Sequence, residues 1–115
     1  MQPQAIPKYD EYDFTGAAAI ASAIAPTGAE FRLAGFSIHA SAALAAEDIT
    51  FTVDSRKGAN YDAEILSVDL DGLTSKVHMI PFDERVPLKS GDEIDVAHTN
   101  TNLRTYGLTV FIERE

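Results

Sequence analysis

The sequence has 115 residues, the length of one domain, and 45% of them are hydrophobic, which excludes a chain that stays disordered. Its 9 Lys and Arg residues are outnumbered by 18 Asp and Glu residues, which gives a net charge of -9. That balance argues against binding to nucleic acid or to an anionic membrane surface, because both attract basic patches. The sequence has no cysteine, which excludes disulfides and thiolate metal sites.

The first 14 residues are predicted to form an N-terminal arm (1–14), followed by a β-sandwich domain (15–115). Two prolines interrupt regular hydrogen bonding in the arm, and acidic residues keep it hydrated. Yet Tyr9, Tyr12 and Phe14 are large and apolar. Two interpretations stay open: a tail folded back on its own domain, or an arm whose three aromatic side chains bind a neighbouring subunit. We expect no secretory signal, since no basic region precedes an apolar segment.

Residues 17–25 are rich in alanine, which favours a helix. However, Gly16 before the segment and Pro26 after it leave barely two helical turns, and so short a helix is marginal in water. The position ahead of a series of strands instead predicts a first strand with small side chains. Small side chains would also allow a neighbouring subunit to approach closely.

From residue 30 onward, apolar residues alternate with polar ones, the pattern of half-buried strands. In the segment 31–40 the alternation changes phase at Gly35, which predicts a β-bulge there. In the segment 75–82, Val77 and Met79 are predicted to face inward. Polar turns rich in Gly, Asp, Asn and Ser separate the segments, and no long helix intervenes. The sequence therefore predicts an all-β fold, an antiparallel β-sandwich or a jelly-roll-like arrangement of about eight strands. The predicted strand segments are 31–40, 48–54, 61–70, 75–82, 94–98 and 106–112.

Several acidic residues invite a comparison with cation sites. Asp69 and Asp71 precede Gly72 as in a calcium loop, but the later oxygen ligands of that loop are missing, which favours a turn. The carboxylates of residues 92, 93 and 95 could join Asp69 or Asp71 around a cation. The simpler interpretation is the solvated face of an edge strand, protected by charge.

The chemistry of an active site is not evident in the sequence. His39, His78 and His98 are not spaced as metal ligands, and we interpret them as structural histidines. The sequence has no Gly-x-Ser-x-Gly motif and no Gly-rich phosphate loop. We therefore predict a protein that is not an enzyme and has no catalytic residues, cofactor or metal. Tyr61 and Tyr106 are interpreted as core or corner residues.

Three stretches together carry a resemblance to a known class of proteins. They are Ile-Thr-Phe-Thr-Val-Asp-Ser (49–55) with Gly-Ala-Asn-Tyr-Asp (58–62), Leu-Lys-Ser-Gly-Asp-Glu-Ile-Asp (88–95), and Arg-Thr-Tyr-Gly-Leu-Thr-Val (104–110). In this order they resemble small virion structural proteins of tailed bacteriophages, over roughly residues 30–113. Such proteins are similar to capsid decoration (cement) proteins.

The resemblance implies a function and a set of partners. It implies a protein on the outer surface of the virion capsid, assembled in the bacterial host cytoplasm, that bridges subunits of the major capsid protein. It also implies self-association, with a trimer as the expected state, whereas nucleic acid and membranes are not expected partners. The alternative is a head-fibre or tail-associated β-sandwich module that binds a carbohydrate or a host receptor. The absence of tryptophan weakens a sugar-stacking surface.

Overall fold

The computed structural model describes residues 9–26, 28 and 30–114. Within this range the chain forms eight strands and two single-turn 3₁₀ helices (η1, Ala59–Tyr61, and η2, Phe82–Glu84). No helix of the described residues has the length and apolar character needed to cross a bilayer. The strands are β1 (Tyr9–Gly16), β2 (Ile20–Ile24), β3 (Phe31–Ala40), β4 (Asp48–Asp54), β5 (Ala63–Asp69), β6 (Ser75–Met79), β7 (Glu93–His98) and β8 (Tyr106–Arg114).

The strands form two antiparallel four-stranded sheets. The first sheet has the order β1-β8-β3-β6, and the second has the order β2-β7-β4-β5. Only the β4–β5 connection stays within one sheet, and the other six connections between these strands cross from one sheet to the other. This strand order is that of a jelly roll. The all-β, eight-stranded antiparallel fold predicted from the sequence is therefore confirmed.

The core lies between the two sheets and is built from the inward positions of the strands. Phe31, Phe36 and Phe51 are fully buried, and Phe36 of the first sheet contacts Phe51 of the second at a ring centroid distance of 5.3 Å. Strand β8 contributes four inward side chains, Tyr106, Leu108, Val110 and Ile112. Aliphatic residues of β2, β3, β4, β7 and the connecting loops complete this buried apolar cluster.

The β-bulge predicted at Gly35 is present in β3. The pairing of β3 with β8 shifts register between Leu33 and Gly35, so that Leu33 and Phe36 both point into the core. A Cβ atom at position 35 would collide with the carbonyl oxygen of His78, and it would lie 2.9 Å from the Cα atom of Met79. Only glycine fits where β6 crosses the bulge so closely.

Residues 9–14, which the sequence assigned to an arm, form most of strand β1. The strand pairs with β8 along its full length, from Tyr9 opposite Glu113 to Gly16 opposite Tyr106. The described part of the predicted arm is thus the edge of the first sheet, which agrees with the interpretation of a tail folded back on its own domain. Residues 1–8 lie outside the described residues.

Strand β6 presents the opposite face from the predicted one. Val77 and Met79 were expected to face inward, but they are 66% and 40% exposed. The pairing with β3 places His78 opposite the buried Phe36, and the two rings stack at a centroid distance of 6.2 Å. Since side chains alternate along a strand, the inward orientation of His78 turns Val77 and Met79 to the outer face of the first sheet.

Candidate functional site

One side of the sandwich concentrates the exposed apolar side chains. Seven large apolar side chains of the described residues are exposed, and five of them lie in η1 just before the edge strand β5, in the edge strand β6, or in the loop that follows β6. We call this surface the β5–β6 side. Large apolar side chains that are exposed on one side of a molecule are typical of a protein–protein contact. The five residues are Tyr61, Val77, Met79, Phe82 and Val86.

A depression of about 270 Å³ lies at the loop end of this side, between the β4–β5 turn and the loop that precedes β7. Its floor is apolar and includes the buried Leu88. Its borders include Tyr61, which is 61% exposed, and Val86, together with Lys57 and Lys89. We call it the lysine–tyrosine depression. Tyr61 was interpreted as a core or corner residue, and that interpretation is wrong because its ring lies at the surface.

The charges around this depression are unusual for so acidic a protein. Arg56, Lys57, Lys89 and Asp92 are the charged residues that line it. Arg56 forms an ion pair with Asp92 at 2.8 Å, whereas Lys57 and Lys89 form no ion pair with a described carboxylate. The ammonium group of Lys57 lies 5.5 Å from the centre of the Tyr61 ring, within the range of a cation–π contact. The depression therefore has a positive, aromatic border.

Asp92 holds the two loops of the depression together. Its side chain is only 3% exposed and accepts hydrogen bonds from the backbone N–H groups of Arg56 (2.8 Å) and Lys89 (3.0 Å). Burial would raise the pKa of Asp92, but these N–H groups and the Arg56 guanidinium outweigh it and hold the pKa below the usual value. At neutral pH the carboxylate is charged, and both of its oxygens accept hydrogen bonds from the two loops. It therefore holds the loops together, while the side chains of Lys57 and Lys89 stay exposed to solvent.

A second concave surface, a groove of about 510 Å³, runs between the edges of the two sheets. Ile65 and Leu66 of β5 line one wall, while His78 of β6 and the following Ile80 line the other. Ile65 also lines the lysine–tyrosine depression, so the two concave surfaces adjoin. Strands β5 and β6 are sheet edges, so the backbone N–H and C=O groups on their outer side pair with no other strand of the described residues.

The predicted interface residues occupy different positions. Tyr12 and Phe14 are half-buried and pack against the core, so their side chains stabilise the sandwich. Tyr9 lies on the outer face, where its ring contacts Phe111 at a centroid distance of 6.2 Å and lies 5.5 Å from the guanidinium carbon of Arg85. The structure therefore brings only Tyr9 of the three to the outer surface, where it lies beside Arg85.

Arg85 links this outer surface to the β5–β6 side. Its guanidinium carbon lies 5.8 Å from the ring centre of Phe82, and that of Arg32 lies 5.5 Å from the same ring. Arginine and aromatic side chains are over-represented at the centres of protein interfaces. Phe82, which is 61% exposed, is therefore a candidate anchor residue.

The acidic residues 92, 93 and 95 form neither a cation site with Asp69 or Asp71 nor the solvated face of an edge strand. Glu93 and Asp95 come together with Asp54 of the neighbouring strand β4, while Asp92 is buried beside Arg56. Strand β7 lies between β2 and β4, so these residues are not on an edge strand. A hydrogen bond with Asp95, partial burial and the negative charges of Asp95 and Asp54 raise the pKa of Glu93. The three oxygen donors are of the type that hard cations prefer.

Asp54, Glu93 and Asp95 belong to a sheet, the second one, in which all the Asp, Glu, Lys and Arg residues are acidic. The four strands of the second sheet contain six carboxylates and no lysine or arginine. All six alternate with the core residues and therefore lie on the outer face. They are Asp48, Asp54, Glu64, Asp69, Glu93 and Asp95.

The three histidines have separate structural environments. His39 is exposed and contacts Ser75, and His78 stacks on Phe36. His98 is buried, and its Nδ1 atom accepts the backbone N–H of Asn100 at 3.0 Å. Burial lowers the pKa of His98, although the carboxylate of Glu47, 3.9 Å from Nε2, acts in the opposite direction. The neutral form of this imidazole therefore holds the β7–β8 turn.

The sequence alone did not reveal the lysine–tyrosine depression. Lys57 and Lys89 are 32 positions apart, and the hydrogen bonds of Asp92 bring their loops together. The only available signal was the pair of cations in the turn at residues 56 and 57, close to an aromatic residue in an otherwise acidic chain.

Comparison with known proteins gives no further assignment of this surface. The chain matches no protein-family model, and it has no significant match among curated proteins.

Proposed function

We propose that this chain is a structural protein of a tailed-phage virion that binds the outside of the capsid and stabilises it by bridging major capsid subunits. The observation that carries the proposal is the concentration of exposed apolar side chains on the β5–β6 side. The resemblance of residues 30–113 to small virion proteins supports the choice of partner. The jelly roll is compatible with it, because this fold is common in viral capsid proteins, although lectins share it.

The physical basis of the stabilisation is mass action. A protein that binds the assembled shell, and not its separate subunits, shifts the equilibrium toward the shell in proportion to its free concentration. Burial of Val77, Met79 and Phe82 against a capsid subunit would remove apolar surface from water, which is the main favourable contribution to such an association.

Self-association, with a trimer as the expected state, remains part of the proposal. A capsid presents its subunits around symmetry axes, and a binder that bridges them gains by having the same symmetry. The acidic outer face of the second sheet supports the expectation that neither nucleic acid nor an anionic membrane is the partner, because six carboxylates would repel both. The expected location is the capsid surface.

Co-sedimentation with empty capsids of the phage that encodes the chain tests the proposal. We expect the wild-type protein to sediment with the capsids and to raise their disassembly temperature. The variant Phe82→Ser should bind at least about tenfold more weakly, a loss equivalent to roughly 1.4 kcal/mol. Leu103→Asn is the matched control, because Leu103 is 68% exposed but lies off the β5–β6 side. Wild-type protein that stays in the supernatant would contradict the proposal.

The exposed ring of Tyr61 favours one second candidate, a tail-associated or head-fibre module that binds a carbohydrate or host receptor. Tyr61 borders a shallow depression that also contains polar groups, the arrangement on which a sugar ring stacks. Binding to specific glycans on an array, abolished by Tyr61→Ala, would support this candidate over the capsid.

A further inference from the structure

We propose that the lysine–tyrosine depression binds a carboxylate-bearing segment of a partner protein, with an apolar side chain next to the carboxylate. The volume of about 270 Å³ suits one or two side chains better than a larger small-molecule ligand. The apolar floor and the exposed faces of Tyr61 and Val86 would cover the apolar side chain. Lys57 and Lys89 would bind the carboxylate.

Charge complementarity identifies the partner's chemistry. In a chain of net charge -9, three of the nine Lys and Arg residues line this one depression. Among the described residues, Asp92 is the only acidic one that lines it, and its oxygens already accept hydrogen bonds from Arg56 and from backbone N–H groups. The positive charges of Lys57 and Lys89 are therefore available to a partner, and the protein group of complementary charge is a carboxylate.

The depression is also preorganised, which lowers the entropy cost of binding. Asp92 connects the loop of Lys57 to the loop of Lys89 through hydrogen bonds to both backbones. Gly91 adopts a positive φ of 101°, and a Cβ atom there would lie 3.1 Å from the Cβ atom of Arg56. The two loops thus pack closely, and the lysines extend from backbones held at a fixed separation.

A protein segment fits this site better than a nucleic acid does. Asp54 and Glu93 are the chain neighbours of Ser55 and Asp92, which line the depression, so a polyanion extending beyond it would meet acidic residues. A single carboxylate beside an apolar group would bring one negative charge to two lysines, whereas a polyanion would bring further charges beside those acidic residues. The inference deepens the proposed function, since it names the chemistry of the capsid segment that this end of the molecule would contact.

The direct test is an NMR titration of the ¹⁵N-labelled protein with the peptide acetyl-Gly-Phe-Asp-Leu-Gly-amide. We expect the amide signals of Lys57, Tyr61 and Lys89 to shift, with a dissociation constant of about 1 mM. The peptide with Asn in place of Asp should bind about tenfold more weakly, as should the double variant Lys57→Glu/Lys89→Glu. Lys76→Glu is the control, because Lys76 lies in strand β6, does not line the depression and forms an ion pair with Asp71.

Three results of the titration would overturn the inference. They are the absence of shifts at about 10 mM peptide, equal binding of the Asp and Asn peptides, and shifts of the same signals by a methyl glycoside but not by the peptide. Thermal unfolding of the double variant checks that it is folded, which we expect because both lysines are exposed.

Capsid co-sedimentation separates this inference from the proposed function. If wild-type protein binds capsids and the double Lys→Glu variant binds them equally well, the depression is not the contact and the inference fails alone. If the peptide binds the depression but wild-type protein does not bind capsids, the inference stands and the proposed function fails.

Discussion

Replacing Asp92 with asparagine would change one carboxylate oxygen to an NH₂ group at the point where two loops meet. The wild-type side chain accepts three hydrogen bonds, from the backbone N–H groups of Arg56 and Lys89 and from the Arg56 guanidinium. An asparagine that keeps its oxygen on the Arg56 amide would present its NH₂ group to the other two donors. Two hydrogen bonds to a charged acceptor are therefore lost.

The expected size of the effect follows from these contacts. Each hydrogen bond to a charged group contributes about 1.5–3 kcal/mol. The Arg56 side chain is 35% exposed, so hydration of its guanidinium recovers part of the loss. We therefore expect Asp92→Asn to lower the free energy of unfolding by about 3 kcal/mol, the lower limit of the sum. For a domain of this size the midpoint of thermal unfolding would fall by roughly 12 °C.

The pH dependence gives an independent check. The pKa of Asp92 is lower in the folded chain than in the unfolded chain, so its ionised form stabilises the fold above the unfolded pKa, and the contribution is lost as the pH falls through the folded pKa. The difference between wild type and Asp92→Asn should therefore be complete at pH 7 and should shrink below about pH 4.

Urea denaturation followed by circular dichroism measures both quantities. Asp83→Asn is the control, since Asp83 is exposed, and its free energy of unfolding should change by less than about 0.5 kcal/mol. Arg56→Met keeps the backbone donor and isolates the contribution of the guanidinium. A loss below about 1 kcal/mol for Asp92→Asn, or an effect that does not change with pH, would refute this account.

Three other substitutions test the core and the titrating groups. Phe36→Ala should lower the free energy of unfolding by about 3–5 kcal/mol, because Phe36 is fully buried against Phe51, and a loss below about 1.5 kcal/mol in urea denaturation would contradict the described core. The lowered pKa of His98 means that the unfolded chain takes up the proton first, so wild-type stability should fall as the pH drops below about 6.5, whereas His98→Gln should lose this dependence. Glu93→Gln should raise the thermal midpoint at pH 7 and not at pH 4, since the raised pKa of Glu93 makes its ionised form destabilising; an equal change at both pH values would exclude charge repulsion as the cause.

Much of the fold could be predicted because alternation along the central strands is unambiguous. The observed bounds of β3 and β4 equal the predicted segments 31–40 and 48–54, and the bulge at Gly35 follows from the change of phase. In these strands only one face carries large apolar residues, so the pattern alone selects the inward side.

The orientation of β6 could not be predicted because both of its faces offer plausible core residues. Val77 and Met79 are more apolar than Lys76 and His78, so hydrophobicity favours the wrong face. The register with β3 decides instead, since it places His78 opposite Phe36. Strand pairing is a long-range property that local alternation does not contain.

The sequence did not predict strand β1 or the lysine–tyrosine depression, because both depend on contacts between distant parts of the chain. The acidic residues between Tyr9 and Phe14 suggest a hydrated arm, yet Glu11 and Asp13 alternate along an edge strand with Tyr12 and Phe14, which pack on the core. Lys57 and Lys89 come together only through the hydrogen bonds of Asp92, which no spacing in the sequence encodes.

The six carboxylates of the second sheet share one outer face that contains no lysine or arginine, so this face carries a concentrated negative potential. A negatively charged target would repel this face, so that collisions with such a target would occur preferentially by the other sides of the molecule. The repulsion would be greatest at low ionic strength and would fade once the Debye length drops below about 10 Å. A charge distribution of this kind selects the orientation of arrival as well as the partner.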